Sequence, residues 1–284
     1  MTDESATSDQ SSGRYGETMI EVPGTPEEVW QAIATGAGQS GWTFAAEIEP
    51  AEGGEMIIHR EPFAPTVAVV VASWDPPRSF GYAAAMPGAP SPLATEILVE
   101  ARSGGSCVVR VVCGFADAGE EWEDLVDSAV EGWRMTLLVL RAYLRRFTGR
   151  PVRALDLITL IDPAPADRVA PADRLFTRLG LPGADRVAGR SFRTAAEAPE
   201  LTGVVEYAGD GYLLLRAEAP HPALIAISCF SMGVDRPLSI NLMGRIYGDL
   251  DDSRLDRLRA RWQTWLERQA DHLAADHDHP SAVR

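Results

Sequence analysis

The sequence predicts an α+β protein: an antiparallel sheet wrapped around one long helix, followed by a second, shorter domain of similar order. Three observations carry this reading. A strand and a capped helix open the stretch 18–147, at least five β-rich runs separated by turn residues follow, and an amphipathic helix over 131–147 closes it. A sheet curved over a single helix encloses a pocket rather than presenting a flat face, so the order points toward binding or transforming a small apolar molecule.

Residues 1–16 are polar, small and without periodicity, and read as a disordered tail. Residues 19–22 read as a short strand. Thr25, Pro26 and Glu28 then supply a capping residue, a proline at the first helical position and the glutamate of a capping box. The helix that follows has Val29, Trp30 and Ile33 on its apolar face and ends in the glycine-rich run 36–41. Strands are expected at 43–48, 55–59, 66–74, 79–84, 93–101 and 107–113. Their separators are turn-like: Gly53-Gly54, Asp75-Pro76-Pro77, residues 86–92 and Ser103-Gly104-Gly105. Ile97 and Val99 alternate with Glu96 and Glu100, and Val109 and Val111 with Arg110, which gives the sheet one wet face and one core face. In the closing helix Trp133, Leu137, Leu140, Leu144 and Phe147 recur in steps of four and three, while Arg134, Arg141 and Arg145 lie elsewhere on the circumference. The concave side of the sheet is the expected partner of that stripe.

Thr148-Gly149-Arg150-Pro151 reads as a hinge into a second α+β domain over 152–274, with a disordered tail at 275–284. Its expected elements are a strand at 152–161, a short helix at 172–179, strands at 201–208, 212–217, 223–230 and 239–247, and a long helix at 253–273 bearing Leu255, Leu258, Trp262, Trp265, Leu266 and Leu273. The order repeats the first half in shorter form. Val29-Trp30 with Ile33, against Leu175-Phe176 with Leu179, suggests a degenerate tandem duplication.

At 284 residues there is room for two domains, and 45% hydrophobic content supports a packed core. Forty-one acidic residues against 26 basic ones give a formal charge of −15. Such a surface repels phosphate backbones and anionic lipid, so neither a nucleic-acid partner nor membrane insertion is expected. Every basic residue is arginine, which excludes Schiff-base, P-loop and lysine general-base chemistry. No run approaches the ~18 apolar residues of a membrane span, and the polar N-terminus lacks a signal-peptide core, so a cytoplasmic location is expected. Of the three cysteines, Cys107 and Cys113 would lie ~20 Å apart on one strand, which suits small buried hydrophobes rather than a disulfide or a metal site.

The run Pro26-Glu27-Glu28-Val29-Trp30, followed by Gly41-Trp42, Gly53-Gly54, Asp75-Pro76-Pro77-Arg78, Gly104-Gly105, Gly114-Phe115, Trp122 and Gly132-Trp133 with Leu137 and Leu140, resembles the SRPBCC superfamily. Within it, residues 18–147 are similar to the C-terminal domain of the heat-shock-protein-90 ATPase activator. The resemblance implies a helix-grip fold with a cavity between sheet and long helix. Relatives include lipid carriers, polyketide cyclases and aromatases, hormone receptors and chaperone regulators, so the fold leaves the chemistry to the site.

Trp42, Trp74, Tyr82, Trp122, Trp133 and Leu137 are the expected ligand-binding residues, since rings and aliphatic groups near the closing helix give apolar area with a few polar handles. Core packing explains them equally well. His59 and Tyr82 are the candidates for proton transfer, with a surface or hydrogen-bonded histidine as the stronger explanation of His59. Asp271-His272, Asp276-His277 and Asp278-His279 read as a solvated terminus, and His221 as a turn residue between prolines. No nucleophile motif, metal motif or phosphate-cradling loop is present, and no cofactor is expected. A carrier or sensor of an apolar metabolite is the first reading, a protein-interaction or chaperone-regulator-like module the second, and a cyclase- or aromatase-like enzyme the third.

Overall fold

The computed structural model describes residues 13–161, 170–230 and 237–275. Its first half comprises β1 (Arg14–Pro23), α1 (Pro26–Ile33), α2 (Gly36–Ser40), β2 (Ala45–Ile48), β3 (Glu55–His59), β4 (Val67–Asp75), β5 (Ser79–Ala84), β6 (Leu93–Arg102), β7 (Ser106–Phe115) and α3 (Glu123–Arg146). These strands form one antiparallel sheet in the order β1-β7-β6-β5-β4-β3-β2. The second half comprises β8 (Val152–Ile161), α4 (Ala170–Arg178), β9 (Ser191–Arg193), β10 (Thr202–Gly209), β11 (Tyr212–Ala219), β12 (Ala223–Phe230), β13 (Leu238–Tyr247) and α5 (Asp252–Ala275). Its sheet runs β8-β13-β12-β11-β10-β9.

The start of α1 follows from its capping box. The Thr25 amide donates to the Glu28 carboxylate at 2.9 Å while the Glu28 amide donates to Thr25 Oγ1, so two otherwise orphaned donors are satisfied. The glycine run does not simply end this helix. Thr35 caps α2, which folds back so tightly that a Cβ on Gly38 would sit 2.0 Å from the Gln31 carbonyl. Gln39 and Trp42 then donate side-chain N–H groups to the Ile33 and Ala32 carbonyls, closing the end of α1 inside the core.

Further features also differ from the sequence expectations. Residues 14–16, assigned to a disordered tail, belong to β1, whereas 1–12 and 276–284 lie outside the described residues. Gly16 makes this extension workable: a Cβ there would meet Val130 Cγ2 at 2.5 Å, so α3 can press directly onto the edge strand. Helix α3 begins about two turns before the expected position, with Glu123 and Asp124 in its first turn and Arg145 and Arg146 in its last, both favourable to the helix dipole. Finally, the concave sheet is not the sole partner of α3. Leu138, Val139, Ala142 and Tyr143 are buried together with Leu137 and Leu140, because Tyr212, Leu214, Leu224, Ala226 and Tyr247 of the second sheet close over the other side of the helix.

The result is four layers. The second sheet turns one set of alternate residues toward α3 and the other set, including Leu213, Leu215, Ile225, Ile227 and Leu242, toward Trp262, Trp265 and Leu266 of α5. Strands buried on both faces read as continuous apolar runs, as in Leu213-Leu214-Leu215 and Leu224-Ile225-Ala226-Ile227. Polar bonds fix the junction between the halves. Arg245, only 1% exposed, donates from Nε and Nη2 to the Thr43 carbonyl at 3.0 and 2.6 Å and from Nη1 to Asp156 at 2.6 Å. Tyr247 donates to the Gly41 carbonyl at 2.7 Å and stacks on Phe147 with ring centres 3.9 Å apart.

Candidate ligand-binding site

The strand register aligns one row of side chains across the concave face of the first sheet. Val71 of β4 pairs with Tyr82 of β5, Tyr82 with Thr95 of β6, Thr95 with Cys113 of β7, and Cys113 with Gly16 of β1. Because residues alternate between faces, Phe80, Tyr82 and Ala84 share the inner side with Thr95, Ile97, Val109, Val111 and Cys113. Three of the row's members carry a hydroxyl or thiol, in an otherwise aliphatic and aromatic wall.

Packing is solid on either side of this row and divided at it. Toward α1, Trp30, Trp74 and Phe80 meet edge to face with ring centres 5.1 to 6.5 Å apart. Toward the start of α3, Phe115, Ala118 and Val126 form a separate cluster with Met86, Leu93 and Trp122, and the Phe115 and Trp122 rings are 5.1 Å apart. At their boundary stand Tyr82 and Trp133, packed against the first cluster, Val130, packed against the second and opposite Gly16, and the sheet residues Thr95 and Cys113. Tyr82 and Trp133 are only half-buried, although Thr95 and Cys113 beside them are fully buried.

Desolvation sets the protonation states. Burial pushes the Tyr82 phenol up to about 12, against the opposing pull of Thr95 and Arg60, and pushes the Cys113 thiol up to about 11. Near neutral pH the phenol is therefore a hydrogen-bond donor and the thiol is protonated. The row can orient a polar group on an apolar molecule; it offers no base.

The remaining expected residues fall elsewhere. Trp42 is fully buried with its indole N–H on the Ala32 carbonyl, Trp74 belongs to the cluster with Trp30, Trp122 packs on Phe115 at the start of α3, and Leu137 is fully buried beneath the helix. His59 sits on the outward side of β3, where its ring bonds Glu47 at 3.1 Å and Thr66 at 3.3 Å. Thr95 and Cys113 were not among the expected site residues. Their signal was present, since Thr95 interrupts the inward series of Leu93, Ile97 and Val99.

Two open clefts lie outside this region. One of about 370 Å³ is bounded by Glu61, Pro62, Asp156, Ile158, Arg259 and Gln263, and one of about 580 Å³ by Arg153 at the start of β8, Asp249 just after β13 and Arg254 in the first turn of α5. Among the described residues no cluster of three or more His, Cys, Asp and Glu side chains is placed to hold a metal ion, and no helix is long and apolar enough to cross a membrane. Asp276, His277, Asp278 and His279 lie outside the described residues.

Residues 23–145 match the family described as activator of Hsp90 ATPase homolog 1-like protein. No curated protein sequence matches the chain. Similar solved structures include the di-domain ARO/CYC BexL of the BE-7585A biosynthetic pathway, 14% identical over 95% of this chain and 99% of its own, with a TM-score of 0.43. The Aha1 dimer from Colwellia psychrerythraea is 18% identical over 48% of this chain and 99% of its own, with a TM-score of 0.40. CalU16 from Micromonospora echinospora is 16% identical over 47% of this chain and 78% of its own, with a TM-score of 0.39.

Proposed function

We propose, from the relationship of residues 23–145 to the SRPBCC superfamily, that the first half of the chain binds a small, largely apolar molecule between its sheet and α3. The single observation that carries this reading is the row Tyr82-Thr95-Cys113. It sets three hydrogen-bonding groups on the concave face at the level where the core divides into two clusters. Trp133 and Tyr82 supply the ring surface and the phenol donor, and Leu137 the floor beneath α3. Trp42, Trp74 and Trp122 hold the surrounding walls. The second sheet is packed on both faces, against α3 on one and α5 on the other, and in this reading it serves as the support behind α3.

An acid–base enzyme is the weaker reading. His59 points away from the concave face, and Tyr82 keeps its proton far above neutral pH. The test is native mass spectrometry of the purified protein, followed by titration with the neutral fluorophore N-phenyl-1-naphthylamine. Saturable binding that Trp133→Ala weakens about tenfold, the loss of one well-packed ring contact, is the expected result. Absence of both a co-purified molecule and saturable probe binding would defeat the reading, as would a Trp133→Ala variant that binds the probe unchanged.

A further inference from the structure

Arginine in this chain is almost always engaged. On α3, Arg134 is held by Glu131 at 2.5 Å and donates to the Tyr207 hydroxyl at 3.1 Å. On β11, Arg216 binds Glu206 and Glu218, each at 2.7 Å. Arg141 is the exception that is also half-buried: among the described residues it makes no ion pair and no hydrogen bond. Its neighbour one turn on, Arg145, is exposed and equally unpaired.

The position follows from helical geometry. Arg134, Leu138, Arg141 and Arg145 recur at spacings of four, three and four, so they form one stripe, about 100° around the helix from the Trp133 stripe that faces the first sheet. Contacts of Arg134 with Tyr207, and the burial of Leu138 in the shared core, direct this stripe toward β10 and β11. The carboxylate there that acts on Arg141, Glu206, is already bound by Arg216. Desolvation, and then the like charge of Arg145, pulls the Arg141 guanidinium downward, with Glu206 opposing. In a chain with 41 acidic residues, two adjacent guanidiniums left unneutralised, one of them partly desolvated, oppose folding rather than assist it.

We propose that Arg141 and Arg145 form a binding site for a small oxyanion, a phosphate or a carboxylate, on the flank of α3 beside β10 and β11. Two guanidiniums one helical turn apart can each present a planar fork to opposite sides of one such group, which a pair of lysines could not do. Arg216 occupies Glu206 and so keeps that carboxylate from pairing with Arg141, and Tyr207, held by Arg134, bounds the site toward the start of the helix. This inference stands apart from the apolar site, because it uses a different face of α3.

The experiment is a calorimetric titration of the full chain at neutral pH with sodium phosphate and, separately, with sodium acetate, at ionic strength held constant with sodium chloride. Saturable binding of either anion is expected. Comparable affinity for both marks a carboxylate-accepting site, and phosphate bound about tenfold tighter marks one shaped for phosphate. Arg141→Gln and Arg145→Gln should each weaken binding about tenfold or more, the loss of a charge-assisted hydrogen-bonding group, whereas Arg261→Gln on the exposed face of α5 should not. In anion-free buffer Arg141→Gln should melt no lower than the parent, since it removes an unpaired, partly desolvated charge. Lack of saturable binding of both anions, an unchanged affinity in Arg141→Gln, or a lowered melting temperature of that variant in anion-free buffer would each overturn the proposal. Unaltered N-phenyl-1-naphthylamine binding by Arg141→Gln separates its outcome from that of the apolar site.

Discussion

Arg245→Met is the substitution whose cost the structure defines most fully. The guanidinium is 1% exposed, and its N–H groups reach the Thr43 carbonyl twice, the Gly244 carbonyl at 2.8 Å and the Asp156 carboxylate at 2.6 Å. Methionine fills much of the stem's volume but offers no donor, so Asp156, whose side chain is only 12% exposed, loses its ion-pair partner and the Thr43 carbonyl loses its side-chain donors. Removing one member of such a pair costs about 3–5 kcal/mol. The matched variant Arg245→Met with Asp156→Leu removes the stranded charge as well and should recover much of the loss, because an apolar pair can replace a buried ion pair at little cost. Urea denaturation of the parent and the two variants measures both quantities. A loss below about 1 kcal/mol for Arg245→Met, or no recovery in the double variant, would refute the reasoning that Arg245, paired with Asp156 in its own half, ties that half to the first through the Thr43 carbonyl.

Two further outcomes follow from geometry and titration. Gly16→Val places a side chain where Val130 Cγ2 already lies 2.5 Å from an added Cβ, so it should cost about 1–3 kcal/mol in denaturant unfolding by forcing α3 off the edge strand; a neutral substitution would show that the helix does not press on β1. The Tyr82 phenol is raised from 10.0 to about 12 by burial, so the unfolded chain loses this proton first. Its contribution to stability is therefore complete below pH 10 and falls away between pH 10 and about pH 12. Burial raises Tyr212 and Tyr247 in the same direction. Tyr82→Phe should flatten the decline in that window by one group's share, as read by denaturation at a series of alkaline pH values, and an identical decline would contradict the assignment.

What could be read from the sequence was mostly local. The start of α1 depends on Thr25, Pro26 and Glu28 within four residues, and strands β3, β5, β8 and β12 have the bounds that their alternation and turn residues indicated. What escaped depends on distant partners. Arg245 looks like a solvated strand position until Thr43, 202 residues earlier, receives its guanidinium. The early start of α3 is the exception, because Val126 and Val130 already carry the Trp133 stripe back in steps of three and four among the acidic residues Glu123, Asp124 and Asp127, and the packing of Val126 in the Phe115 cluster and of Val130 at Gly16 holds the helix there. The two-sided burial of α3 did leave a trace, since Leu137-Leu138-Val139-Leu140 is apolar all round the helix, a pattern that belongs to a helix covered on every side. Strand β9, three residues long, is too short for any periodicity to register.

The burial along α3 divides the helix into two parts with different physical roles. From Leu137 to Tyr143 nearly every side chain is buried between two sheets, and Tyr143, Phe147 and Tyr247 stack at its end. From Glu123 to Thr136 only Val126 is fully buried, and the helix rests mainly on β1 and β7, with Val126 among Phe115, Met86 and Leu93 and with Arg134 and Met135 reaching Tyr207 and Tyr212. Local opening is cheapest where few apolar contacts must be broken, so the lightly held half of the helix is the half that moves at least cost. That half meets the sheet at Gly16, the register partner of Cys113 at one end of the row Tyr82-Thr95-Cys113. A second sheet packed on the far end of α3 therefore leaves the near end as the part of the helix held by the fewest apolar contacts.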